Sequence, residues 1–145
     1  MVIKVKIKIL QLKEEYKEYE TRPRMDDPQK VYDILKPMFL PEKEVFFLLS
    51  LNTKNGITAI RTISIGSLSA NVVHPREVFK AAILDDAAHI IVAHNHPSGD
   101  PTPSREDIEI TKKLAETGKI MGIDVLDHVI IGDGRHFSMK EAGHI

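Results

Sequence analysis

The run "AHIIVAHNH", residues 88–96, restricts the fold more than any other stretch of this chain. It is apolar from Ile90 to Ala93 and turns polar at its end. A short run with no polar face has both faces covered, so it belongs inside a sheet. His94 and His96, two residues apart at its C-terminal end, then point to the same side. Pro97, Pro101 and Pro103 stiffen the loop that follows and lower the entropy cost of ordering it. "SREDIEITKKLAETGKIMG" next reads as a helix. Ser104 stands at the cap and Asp107 in the capping-box position, with Ile108, Leu114 and Ala115 as an apolar stripe and Gly122 as the stop.

The rest of the chain follows the same pattern. Residues 2–10 alternate, with Ile3, Val5, Ile7 and Ile9 on one face and Lys4, Lys6 and Lys8 on the other: a half-buried strand with an edge suited to lysine. A charged connector follows. Asp27 caps a helix begun by Pro28, with Val31, Ile34, Leu35 and Met38 at helical spacing and an end near Lys36. "EVFFLLSL" (44–51) and "ITAIRTISI" (57–65) form a hairpin across Asn55-Gly56. A helix from Pro75 buries Val78, Phe79, Ala82 and Ile83. "DVLDHVIIGD" is a further strand, Gly132-Asp133-Gly134 a turn, and "SMKEAG" a last short helix capped by Ser138. Asp127 and Asp133 read as strand-edge and turn residues.

At 145 residues the chain has the length of one domain. The expected class is α/β, a single domain with a mixed sheet and helices packed on its faces. Residues 1–22 form the N-terminal strand and connector, and 23–145 the domain proper. With 20 basic and 21 acidic side chains, the net charge of −1 lacks the footprint of a dedicated nucleic-acid binder. No apolar run is long enough to span a membrane, and the lysine-striped N-terminus is unlike a signal peptide, so the expected compartment is the cytoplasm.

There is no cysteine, so a metal here must be held by histidine and carboxylate. His94 and His96 offer two imidazoles on one side of a strand end. Asp107, one turn into the next helix, can reach back toward them. Two nitrogens, one carboxylate oxygen and a fourth position left to water is the catalytic type of zinc arrangement. Asp100 is an alternative carboxylate, although its place between Gly99 and Pro101 suits an Asx turn. His74 belongs near a helix start, where it could line a groove, and His89, His128, His136 and His144 show no partner pattern.

Read from His94, the segment spells H-x-H, seven residues, then S-x-x-D. This resembles the JAMM signature of the MPN/JAB metalloprotease superfamily. The wider string "HPREVFKAAI…IIVAHNHPSGDPTPSREDIEITKKL…GIDVLDHVIIG" is similar to the RadC family in particular, over about residues 23–145. The resemblance implies an architecture like that of cytidine deaminases. A deaminase is nevertheless excluded, because its site needs cysteine ligands. It also implies one zinc per chain on His94, His96 and Asp107, and an upstream glutamate at a strand start. Glu44 matches that glutamate better than Glu42.

On this resemblance Glu44 is the general acid–base, and Ser104 either donates to an oxyanion, serves as a helix cap, or does both. The implied activity is hydrolysis of a peptide or isopeptide amide bond. The implied substrate is a protein or peptide, in relatives commonly the C-terminal tail of a ubiquitin-like protein. The alternative is a non-enzymatic module in DNA repair with a structural or vestigial zinc site. RadC-type chains usually carry a helix-hairpin-helix domain where this sequence has its lysine-striped strand, which weakens a direct DNA link. That strand is also a candidate for edge pairing into a homo-oligomer.

Overall fold

Two strands that are apolar on both faces form the centre of the sheet, as their composition requires. These are β1 (Glu44–Leu51) and β3 (His89–Asn95), paired antiparallel with Phe46 opposite His94. The computed structural model describes residues 21–40, 42–66 and 73–145, so the strand expected over 2–10 lies outside the described residues. β2 (Ile57–Gly66) pairs antiparallel with β1, β4 (Asp124–Ile131) runs parallel to β3, and β5 (His136–Ser138) closes the far edge. The order is β2-β1-β3-β4-β5, a mixed sheet as expected. The parallel β3–β4 pair needs a crossover, which α3 (Arg105–Met121) supplies.

Alternation along the strands divides the core in two. Phe47, Leu49 and Leu51 of β1 join Ile91 and Ala93 of β3 beneath α1 (Pro28–Leu35), which contributes Val31, Tyr32 and Leu35. Phe46, Leu48, Ile90 and Val92 face α3 and α2 (Pro75–Leu84), which contribute Val78, Phe79, Ile110 and Leu114. Full burial of one such side chain is worth about 1.5–3 kcal/mol. His94 has the parity of Ile90 and Val92, so the fold directs its ring toward α3. Among the described residues, no helix is long and apolar enough to cross a membrane.

The helical stripes are rotated from their sequence readings. In α1, Tyr32 is buried and Met38 is exposed, because Pro37 converts the end into a 3₁₀ turn over Lys36–Met38. In α2, Ala81 faces inward and Ile83 is half exposed. In α3 the buried stripe is Asp107, Ile110, Thr111, Leu114 and Gly118, not Ile108 and Ala115. Two polar residues thus hold inward positions that hydrophobic periodicity alone could not recognise.

Two readings are corrected. "SMKEAG" is no helix: Ser138 ends β5 and the chain continues in turns. Asp127 is buried in β4, where its carboxylate accepts from Ser138 Oγ (2.7 Å), the Lys140 amide (3.1 Å) and the His128 amide (2.7 Å). It anchors the C-terminal segment across the sheet. Burial pushes its pKa up, against the pull of these donors.

The end of β4 also pins the loop between β3 and α3. The Asp133 amide donates to the Gly99 carbonyl (2.8 Å), and Gly132 lies flat against that loop. A Cβ at Gly132 would strike the Gly99 carbonyl oxygen and reach within 2.8 Å of Pro101 Cδ. One obstacle is backbone and the other a proline ring, neither of which moves freely, so Gly132→Ala is expected to destabilise the protein by about 1–3 kcal/mol. Urea unfolding measures this directly, and an unchanged midpoint would mean that the loop yields freely.

Candidate metal centre

The site is assembled where β3 ends and α3 begins. His94 is fully buried, its ring stacked on Phe46 at 6.0 Å and 14°. β3 ends at Asn95, one residue short of His96, but the His96 amide still donates to the Ile131 carbonyl (2.9 Å) and continues the pleat. The two Nε2 atoms consequently face each other at 3.1 Å. Asp107 closes the triangle, with Oδ1 3.2 Å from His94 Nε2 and Oδ2 3.0 Å from His96 Nε2.

The device that starts α3 also aims this carboxylate. Ser104 Oγ accepts from the Asp107 amide (3.1 Å), and Asp107 Oδ2 accepts from the Ser104 amide (2.8 Å), a complete capping box. The cap therefore uses the Ser104 hydroxyl oxygen as well as its backbone. The hydroxyl hydrogen has no part in that bond.

Each histidine is held through its other ring nitrogen. His96 Nδ1 donates to the Asp100 carbonyl (2.8 Å), which leaves Nε2 to the cluster. The Asp100 carboxylate instead accepts from the amide and hydroxyl of Thr102 (3.0 and 2.7 Å), the Asx-type role. Asp100 thus serves by its backbone, not as a side-chain ligand. His94 Nδ1 meets His128 Nε2 at 2.7 Å, and His128 Nδ1 meets Thr111 Oγ1 at 2.6 Å. His74 caps α2, accepting from the Arg76 amide (3.0 Å).

Electrostatics agree with this geometry. Burial opposes ionisation of Asp107, but the two histidines and the Ser104 amide outweigh it and hold the carboxyl far below the usual range. The Asp107 carboxylate raises the pKa of His96 against desolvation, with smaller help from Glu44. Burial drives the pKa of His128 well down. Without a cation, the cluster is an anion beside imidazoles, one of which holds its proton more tightly than usual.

Do these residues fit a metal? The three ligand atoms lie within 4.8 Å of one another, the one such group among the described residues. Tetrahedral zinc with bonds of about 2.0–2.1 Å separates its ligand atoms by about 3.3 Å. The observed 3.0–3.2 Å lies just inside that value, and two imidazoles with one carboxylate are a donor set that zinc accepts. The cluster can hold a metal ion.

Glu44 opens β1 at the rim of this cluster, near enough for its charge to raise the proton affinity of His96. It lines an open groove of ≈ 450 Å³ with Glu42, Lys43, Ile65, Gly66 and Pro97. Glu42 is exposed, in left-handed backbone, outside the strand. Asn95, the residue between the two histidines, was missed by sequence reasoning. Its amide oxygen accepts from the Val45 amide (2.8 Å) and its nitrogen donates to the Lys43 carbonyl (2.9 Å), bracketing Glu44. His128 and Thr111 were missed too. The sequence offered one hint: His94 directly follows the apolar run 90–93 of β3, and His128 directly precedes the apolar run 129–131 of β4.

Known proteins are similar to this chain in sequence. The RadC-like JAB domain family matches residues 25–144. A UPF0758 protein of Methanosarcina mazei is 53% identical over 127 residues, 87% of this chain and 56% of that protein. One from Caldanaerobacter subterraneus is 62% identical over 118 residues, 81% and 51% of the respective lengths. One from Bacillus cereus is 54% identical over 129 residues, 88% and 57%. The chain spans little more than half the length of these curated relatives, and their names state no activity.

Proposed function

Because this chain belongs to the RadC-like JAB domain family, we propose that it is a zinc-dependent hydrolase of peptide or isopeptide amide bonds, with His94, His96 and Asp107 as the ligands. One observation carries the reading: three ligand atoms facing one another at 3.0–3.2 Å, with a glutamate at the rim beside an open groove. When bound, zinc supplies the Lewis acidity that makes hydroxide available from water near pH ~7.

The chain's own residues supply the rest. Glu44 takes a proton from the attacking water as its oxygen adds to the carbonyl carbon. As the C–N bond breaks, Glu44 returns that proton to the departing nitrogen, leaving a carboxylic acid and an amine, which exchange the second water proton to become carboxylate and ammonium at neutral pH. The Ser104 hydroxyl hydrogen, unused by the helix cap, donates to the carbonyl oxygen as negative charge gathers there. Asn95 holds the backbone on both sides of Glu44, so the carboxylate need not be ordered anew at each turnover. The groove beside Glu44 suits an extended segment of a peptide or of a ubiquitin-like tail.

Zinc titration of the metal-free protein is expected to show one site per chain. Its affinity should fall as pH falls, because proton and zinc compete for the same His96 lone pair. The raised pKa of His96 means the proton is already held above the usual histidine range. Below that raised value, affinity should drop about tenfold per pH unit for this one proton. Hydrolysis of a peptide library should stop with a chelator and return with zinc. Zinc binding that is absent, or flat across that range, would overturn the reading.

A further inference from the structure

We propose that His128, anchored by Thr111, is a positioning residue that presets His94 in the Nδ1–H tautomer, so that its Nε2 faces the cluster unprotonated before any metal arrives. This rests on the reading of His94 as a metal ligand.

The reasoning is a count of protons along one buried chain. Thr111 Oγ1 lies 2.6 Å from the Asp107 carbonyl oxygen and 2.6 Å from His128 Nδ1. A hydroxyl has one hydrogen, and a carbonyl oxygen cannot donate. The contact with the Asp107 carbonyl therefore takes the hydroxyl hydrogen, and Thr111 Oγ1 is left as an acceptor. His128 must then carry its proton on Nδ1 and donate it to Thr111. His128 is fully buried, with no carboxylate against its ring nitrogens, so it is neutral and its Nε2 holds a lone pair. The 2.7 Å contact from His94 Nδ1 to that lone pair requires the proton to sit on His94 Nδ1. The remaining nitrogen, His94 Nε2, then points a lone pair at the cluster.

The reverse order leaves a defect. If Thr111 donated to His128, its oxygen and the Asp107 carbonyl would meet at 2.6 Å without a proton. In the order proposed, the unprotonated close contacts are confined to the cluster itself: His94 Nε2 lies 3.2 Å from Asp107 Oδ1 and 3.1 Å from His96 Nε2, which lies 3.0 Å from Asp107 Oδ2. Those contacts are what a cation bound there would relieve. Phe46 packs against both rings, with centroids at 6.0 Å from His94 and 5.7 Å from His128, and supplies no competing hydrogen-bond partner. The assignment also explains why Thr111, a polar residue, holds a buried position on α3: its hydroxyl reports the helix backbone to the metal ligand through one imidazole. His96 reaches the same state by a simpler route, through the Asp100 carbonyl.

The test is long-range ¹H–¹⁵N spectroscopy of the histidine rings in the metal-free full chain, with zinc titration of three variants. His94 and His128 should both read as Nδ1–H tautomers at neutral pH, before zinc is added. A His94 proton on Nε2 would overturn the proposal, whether or not the chain binds zinc. Thr111→Val keeps the packing and removes the acceptor, and should weaken zinc binding several-fold. His128→Leu should weaken it by about 10–100-fold, the usual cost of losing a partner behind a metal ligand. His128→Gln, whose amide oxygen can replace the lost acceptor, should recover most of that loss. A purely structural role would lower the unfolding midpoint in these variants but leave zinc affinity in the folded protein at the wild-type value. That outcome would also overturn the proposal, while zinc binding by the wild type would leave the proposed function standing.

Discussion

Asp107→Asn is expected to abolish stoichiometric zinc binding, and hydrolysis with it, while the protein stays folded. Asparagine has nearly the same shape, and its amide oxygen can still accept from the Ser104 amide, so the start of α3 keeps its cap. What disappears is the negative charge. Two imidazoles without an anion make a weak zinc site, and the loss should exceed the ~10–100-fold that follows removal of a supporting partner. Protonation cannot account for the effect. With the carboxylate gone, His96 loses the main cause of its raised pKa and is more available to a metal, not less. Calorimetric zinc titration, paired with thermal unfolding, separates the two outcomes. Wild-type zinc affinity in this variant would exclude Asp107 as a ligand.

Glu44→Gln should behave in the opposite way, keeping its zinc and losing its turnover. Glu44 lies outside the triangle of ligand atoms and lines the groove, so the metal does not depend on it. An amide cannot take a proton from water, and removal of a positioned general base typically costs 10²–10⁴-fold, here expected as about that drop in kcat. Glu42→Gln is the control. Glu42 lines the same groove but is exposed and outside β1, so its replacement can change KM while kcat should stay near the wild-type value. If the two variants were equally active, or if the Glu42 variant were the inactive one, the assignment of the acid–base to Glu44 would fall. A Glu44 variant that lost its metal would instead move Glu44 into the ligand set.

The site was legible in the sequence to the extent that its logic is local. His94 and His96 share a side because a strand repeats every two residues. Asp107 follows Ser104 by three because a capping box needs that spacing, and the same spacing turns the carboxylate toward the strand end. The hairpin, α2's start at Pro75 and the stop at Gly122 also follow from short patterns. The misreadings share a cause. Ser138 looked like a helix cap because its local signal was genuine, but its hydroxyl donates to Asp127, eleven residues away and buried. The apolar stripe of α3 was misplaced because Asp107 and Thr111, both polar, occupy inward positions, which hydrophobicity cannot flag.

By itself, then, the sequence determined the class of fold, the order of the elements from α1 to β4 and the grouping of His94, His96 and Asp107, since each depends on periodicity or on spacing within one turn or one strand. Tertiary structure alone decided what stands behind the triangle. Asn95 reaches Val45 across fifty residues of chain, His128 reaches His94 across thirty-four, and Thr111 reaches His128 across seventeen. Such pairs leave no periodic trace, because the positions that meet are set by sheet register and by the rotation of α3. The proton on an imidazole is decided later still, by whichever buried neighbour can accept it.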